Sequence, residues 1–126
     1  MDVLESPVVL TIDDEKSIRD SFRYFLEDYD YTVVEAENGK AGLERFQESQ
    51  PDLILLDLRM PEMNGLDVLD WLHEHSSRTP VIIISGTGTS EDIDQAMKKG
   101  ACGYIRKPIE DLSMLLNVVE TALHHN

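Results

Sequence analysis

Apolar residues along this chain come in short unbroken runs, separated by stretches in which they recur every three or four positions. The runs at 8–12, 32–36, 53–56, 81–84 and 103–105 are rich in branched residues and bounded by turn formers, which predicts five strands. LILL at 53–56 and VIII at 81–84 do not alternate with polar positions, as expected of central strands covered on both faces. Between the runs, Ile18, Phe22, Phe25, Leu26 and Tyr29 share one helical stripe, and Leu112, Leu115, Leu116, Val119 and Leu123 share another. Met114 and Val118 fall off that second stripe and are free for an output domain or a dimer partner. Weaker helical patterns cover 40–47, 66–73 and 91–99.

Strand and helix therefore alternate, and right-handed crossovers turn such a chain into an α/β (βα)5 doubly wound parallel sheet. Residues 1–126 read as a single domain with its core at about 8–123. Chemistry in this architecture sits at the carboxyl ends of the strands, and the unusual residues fall there. TIDDEKS at 11–17 follows the first strand, Asp57 ends the third, Ser85 ends the fourth and Lys107 follows the fifth. The second strand ends in Glu35-Ala-Glu37, which carries no distinctive pattern.

If Asp13, Asp14 and Asp57 converge, each charged pair at about 4 Å repels by ~1 kcal/mol in a water-like dielectric and ~4 kcal/mol in a protein-like one. Protons or a cation must relieve that, and an all-oxygen site with few protein ligands suits magnesium. The simpler alternative is that Asp13 or Asp14 caps the first helix. Glu15 is expected to be a solvated acid without a role. An aspartate beside magnesium can attack a phosphoryl group and carry it as an acyl phosphate. Lys107 supplies the complementary charge, with Pro108 fixing the turn after it through a trans or cis bond. Ser85 offers a small hydroxyl donor. Taken singly, these two residues also fit a surface lysine before a helix and an ordinary turn serine.

Composition narrows the partners. With 25 acidic against 11 basic side chains the net charge is −14, which opposes binding to nucleic acid or to an anionic membrane. A cation or a basic partner protein fits better. The single cysteine, Cys102, cannot form an internal disulfide, which is in keeping with a reducing compartment, and its apolar surroundings predict a core position. No apolar run approaches the length of a membrane span and the start MDVLESP is unlike a signal peptide, so a cytoplasmic protein is expected.

Taken in order, Asp13-Asp14, Asp57 within DLRMP, Gly65, Ser85 and Lys107-Pro108 resemble the receiver domain of two-component response regulators, over about residues 8–123. The resemblance implies a flavodoxin-like strand order 2-1-3-4-5. It also implies that Asp57 takes a phosphoryl group from the phosphohistidine of a sensor histidine kinase. Asp14 would bind magnesium directly, Asp13 through water, and Asp57 and the Arg59 backbone carbonyl would complete the protein ligands. Ser85 and Lys107 would hold the phosphoryl oxygens, and Tyr104 would be the aromatic switch. Such a domain catalyses only its own phosphorylation and dephosphorylation. It acts on an output domain or effector, through a surface near Lys98, Lys99, Tyr104 and Arg106, with a homodimer on phosphorylation as a further expectation.

Gly86 departs from the family's usual alanine and implies a looser loop, while Arg59 and Thr87 occupy positions that the family varies to set phosphate lifetime. Three other functions compete with this one. A nucleotide-binding flavodoxin-type domain needs a Gly-rich first turn where this chain is acidic. A haloacid-dehalogenase-like phosphatase needs an aspartate where Arg59 stands. A receiver-like interaction module that is not phosphorylated is the remaining alternative. His73 and His75, two residues apart on a helix, do not face each other and predict no metal site.

Overall fold

The computed structural model describes residues 6–86 and 89–124. The strands are β1 (Val8–Ile12), β2 (Thr32–Ala36), β3 (Leu53–Leu56), β4 (Val81–Ser85) and β5 (Gly103–Arg106), and they form one parallel sheet in the order β2-β1-β3-β4-β5. The helices between and after them are α1 (Lys16–Glu27), α2 (Gly39–Ser49), α3 (Gly65–Glu74), α4 (Ser90–Lys98) and α5 (Leu112–Leu123). The predicted strands and their order are thus the observed ones, with β4 and β5 each one residue longer.

Why the central runs lack polar positions is plain from the layers. Ile54, Leu56, Val81 and Ile83 pack with Leu43 of α2, Val68, Leu69 and Leu72 of α3 and Ala96 of α4 on one face. Leu53, Leu55, Ile82 and Ile84 pack with Phe22 and Leu26 of α1 and Leu115 and Val119 of α5 on the other. Each fully buried branched side chain contributes about 1.5–3 kcal/mol relative to exposure. Two apolar layers therefore clamp β3 and β4, and the ends of those strands are held firmly in place.

Side-chain caps start most of the helices. Asn38 caps α2, Asn64 and Asp67 form a capping box on α3, Thr89 and Asp92 do so on α4, and Asp111 caps α5. In α1 the cap position is Glu15, whose side chain makes no capping bond. Neither Asp13 nor Asp14 holds that position, so the simpler alternative for the acidic pair does not apply.

Four expectations about individual residues need correcting. Tyr29 lies beyond the end of α1 and is exposed, because the helix stops at Glu27 before the stripe returns to the core. Leu112, Leu115, Val119 and Leu123 face the core as the spacing predicts, but Val118 packs there too, whereas Leu116, equally half-buried, does not join that cluster. Met114 is exposed, as expected. Cys102 is exposed, since it precedes edge strand β5 instead of lying within the sheet. Among the described residues, no helix is long and apolar enough to cross a membrane.

Candidate functional site

Strand register brings the singled-out residues together. Ile12 of β1 pairs with Leu56 of β3, so Asp13 and Asp57 leave adjacent strands at the same level, and the Asp57 N–H donates to the Ile12 carbonyl at 3.0 Å. Ser85 of β4 pairs with Arg106 of β5, and the Lys107 N–H donates to the Ser85 carbonyl at 3.0 Å. The Lys107–Pro108 peptide bond is cis. Carboxylate oxygens of Asp13, Asp14, Glu15 and Asp57 all lie within 4.8 Å of one another. Asp13 and Asp57 are buried and Asp14 and Glu15 exposed, which leaves the cluster open to solvent on one side.

The ammonium of Lys107 sits among these acids. Its Nζ is 2.8 Å from Asp13 Oδ2, 2.9 Å from Glu15 Oε1 and 3.4 Å from Asp57 Oδ2. Glu15, expected to have no role, is thus the third partner of Lys107. Burial raises the Asp57 carboxyl to about 6 from an ordinary 3.8; Lys107 opposes the rise and the Asp13 charge adds to it. Burial likewise raises Asp13 against the hydrogen bond from Lys107. Burial works against the charge on Lys107, but hydrogen bonds to Asp13 and Glu15 prevail and raise it above its ordinary value. One ammonium is therefore shared among more negative charge than it can neutralise.

Backbone geometry fixes the acceptor loop. The Arg59 N–H donates to Asp57 Oδ1 at 3.2 Å, and the Gly65 N–H donates to the Leu58 carbonyl at 3.0 Å. A Cβ at Gly65 would stand 2.6 Å from the Asp57 carbonyl oxygen and 2.8 Å from Leu58 Cα. Only glycine allows α3 to start so close to the loop. At Gly86 an added Cβ would lie 3.2 Å from Lys107 Cβ, a tight contact with the Lys107 stem. Thr87 lies outside the described residues.

Ser85 is fully buried, and its Oγ has no hydrogen-bond partner among the described residues. A buried hydroxyl left in this state costs about 1–3 kcal/mol and marks a place where a ligand oxygen would be welcome. Tyr104 is half-buried against the core face formed by α2, α3 and α4, and its hydroxyl is likewise buried without a partner. Arg106 stacks over the Tyr104 ring at 5.9 Å. Lys99 is engaged by Asp70 at 2.6 Å, which leaves Lys98 as the exposed lysine of that pair.

The end of β2 carries more than its sequence suggests. Glu35 pairs with Arg23 at 2.5 Å and with Arg19 at 3.4 Å, while Arg19 donates to the Asp13 carbonyl at 2.6 Å. These contacts tie α1 and β2 to the backbone of the acidic pair. Two arginines one helical turn apart on α1, ahead of an acid on the next strand, were the available signal. His75 stacks on Trp71 with ring centroids 3.7 Å apart, and neither it nor His73 joins a metal-ligating group among the described residues.

The fold and this edge define a doubly wound α/β domain with an acidic, lysine-bridged site at the carboxyl ends of β1, β3 and β5. The chain belongs to the response regulator receiver domain family, whose model matches residues 9–120. It is 42% identical over 113 residues to the nitrate/nitrite response regulator protein NarL of Escherichia coli K12, covering 88% of this chain and 52% of that protein. It is 34% identical over 107 residues to the chemotaxis protein CheY of Halobacterium salinarum, covering 85% of this chain and 89% of that one. A Vibrio cholerae CheY4 structure superposes with a TM-score of 0.87 at 28% identity, over 94% of this chain and 99% of that one. A receiver domain from Clostridium thermocellum does so at 0.86 and 31%, over 93% and 94%. The chain spans about half the length of NarL. Membership makes it a phosphoacceptor module of two-component signalling, a class that works with histidine kinases and output domains in general.

Proposed function

We propose that Asp57 is the phosphoryl acceptor and that the surrounding residues serve its reaction with the phosphohistidine of a sensor kinase. The observation that carries this is the sharing of the Lys107 ammonium among Asp13, Glu15 and Asp57 beside the unpartnered Ser85 hydroxyl. An Asp57 carboxylate oxygen attacks phosphorus, the P–O bond forms as the P–N bond breaks, and the electron pair returns to the imidazole, which takes a proton. Hydrolysis reverses the loading, water supplying the attacking oxygen and Asp57 leaving as carboxylate. Lys107 moves its charge onto the phosphoryl oxygens and Ser85 donates its O–H, so catalysis is mostly positioning and neutralisation.

The hard oxygen donors fit magnesium. Asp13, Asp14, Asp57 and the Arg59 carbonyl are the residues that would hold it, Asp13 through water. When bound, the ion neutralises charge on the reacting oxygens. The raised carboxyl groups support that assignment, because burial makes their charge costly and a bound dication would offset that cost. The phosphorylated site then biases Ser85 and Tyr104 between two arrangements. The domain is a 1–126 receiver acting on an output domain or effector through the α4, β5 and α5 surface, with dimerisation on phosphorylation. The test is incubation with acetyl phosphate and magnesium, read by intact mass. Wild type should gain one phosphoryl group and Asp57→Asn none while staying folded; equal labelling of the variant would place the acceptor elsewhere, and no labelling of either would favour the module that is not phosphorylated.

A further inference from the structure

Arg59 has its root inside the site and its charge outside it. Its N–H donates to Asp57 Oδ1 at 3.2 Å, so the side chain begins beside the acceptor carboxylate. The guanidinium instead donates from Nη2 to Asp92 Oδ2 at 2.6 Å, across to the first turn of α4. That same Oδ2 accepts the Thr89 N–H at 3.2 Å, and Thr89 Oγ1 accepts the Asp92 N–H at 3.1 Å, so the capping box and the ion pair share one oxygen. Asp92 is held below its ordinary value first by the Thr89 N–H, against an opposing effect of burial, and then by Arg59. The acidic cluster on the other side of Asp57 has Lys107 as its ammonium partner.

We propose that Arg59 is a phosphoryl-positioning residue held in reserve by Asp92. When Asp57 is phosphorylated, the guanidinium exchanges the Asp92 carboxylate for phosphoryl oxygens. This rests on Asp57 being the phosphoryl acceptor. A phosphoryl group brings close to two negative charges and three acceptor oxygens to the base of the Arg59 side chain. The planar guanidinium matches phosphate oxygens two at a time, whereas it reaches Asp92 through one contact. With side-chain exposures of 56% for Arg59 and 22% for Asp92, the existing pair is partly solvated and readily given up. The exchange removes the link between the acceptor loop and α4 as the site fills. Asp92 acts as an internal competitor that lowers affinity for the phosphoryl group, and its release frees the first turn of α4 to move.

The test is a double-mutant cycle on the affinity of the whole chain for magnesium beryllofluoride, an inert mimic of the phosphoryl group, measured by calorimetry. Asp92→Asn keeps an oxygen for the Thr89 N–H but loses the charge that competes for Arg59. It should bind the mimic roughly twofold to fivefold more tightly than wild type. In an Arg59→Gln background the same substitution should change nothing, and in an Arg59→Lys background part of the gain should return. Amide hydrogen exchange in the first turn of α4 should quicken on loading wild type and should already be quick in unloaded Asp92→Asn. Wild-type binding with no gain from Asp92→Asn, or an equal gain without Arg59, would overturn the exchange and leave the acceptor assignment standing. Failure of wild type to bind the mimic at all would overturn both.

Discussion

The Lys107 ammonium is closer to Glu15 than to Asp57, 2.9 Å against 3.4 Å. The acid that the sequence left idle therefore competes with the acceptor for the Lys107 charge. Removing it should have two separable effects. Glu15→Gln takes away a negative charge within 4.8 Å of the other carboxylates, so magnesium binding should weaken by about 1 kcal/mol, roughly fivefold. Lys107 should meanwhile turn toward Asp57. Magnesium titration followed by NMR checks the first effect and a lysine Nζ resonance the second.

Asp57 gives a pH dependence whose sign is fixed. Its folded value of about 6 exceeds the ordinary 3.8, so between those values the folded state binds more protons than the unfolded one. Stability of the magnesium-free protein should therefore increase as pH falls from 7 through 6 toward 4, by up to about 3 kcal/mol from this group. Asp13 is displaced in the same direction. The carboxyls of Asp20, Asp92 and Asp111 are displaced downward, so their contribution is lost only below that window. Urea midpoints with a chelator present should rise between pH 7 and 5. Asp57→Asn should raise the midpoint at pH 7 and flatten the profile.

Ser85→Ala separates function from folding. The hydroxyl is buried without a partner among the described residues, so its removal should leave stability unchanged or raise it by about 1 kcal/mol. Phosphorylation by acetyl phosphate should slow by roughly tenfold or more, because a donor to the developing charge is gone. Tyr104→Phe should be equally harmless to stability. Denaturant midpoints and labelling rates on the same samples check both.

Gly65→Ala should be costly for a different reason. Its Cβ would press on the Asp57 carbonyl and Leu58 Cα, backbone atoms that cannot swing aside. Overpacking of this kind costs about 1–3 kcal/mol, and labelling should fall with it, since the displaced loop carries the acceptor. Thermal unfolding together with the labelling rate tests the pair of effects.

Much of this was legible in the sequence, for identifiable reasons. Runs such as LILL and VIII could only be strands covered on both faces, and Asp57, Ser85 and Lys107 followed such runs closely enough to be placed at one edge. The partnership of Glu15 with Lys107 was not legible because it spans 92 residues and depends on the reach of two flexible side chains. The Arg59–Asp92 pair escaped for the same reason, at a separation of 33. Cys102 was misplaced because an apolar neighbourhood in sequence does not reveal that its strand lies at the edge of the sheet. Val118 joined the core cluster and Leu116 did not because both lie at the margins of the α5 stripe, where spacing alone does not decide which side chain packs inward.

The central claim is that Asp57, and neither of the adjacent aspartates, carries the phosphoryl group. Borohydride reduces an acyl phosphate of aspartate to homoserine, so reduction after loading with acetyl phosphate and magnesium, followed by peptide mass mapping, reads the acceptor directly. Homoserine should appear at position 57 alone. Homoserine at Asp13 or Asp14, or none anywhere in a fully mapped chain, would contradict the account.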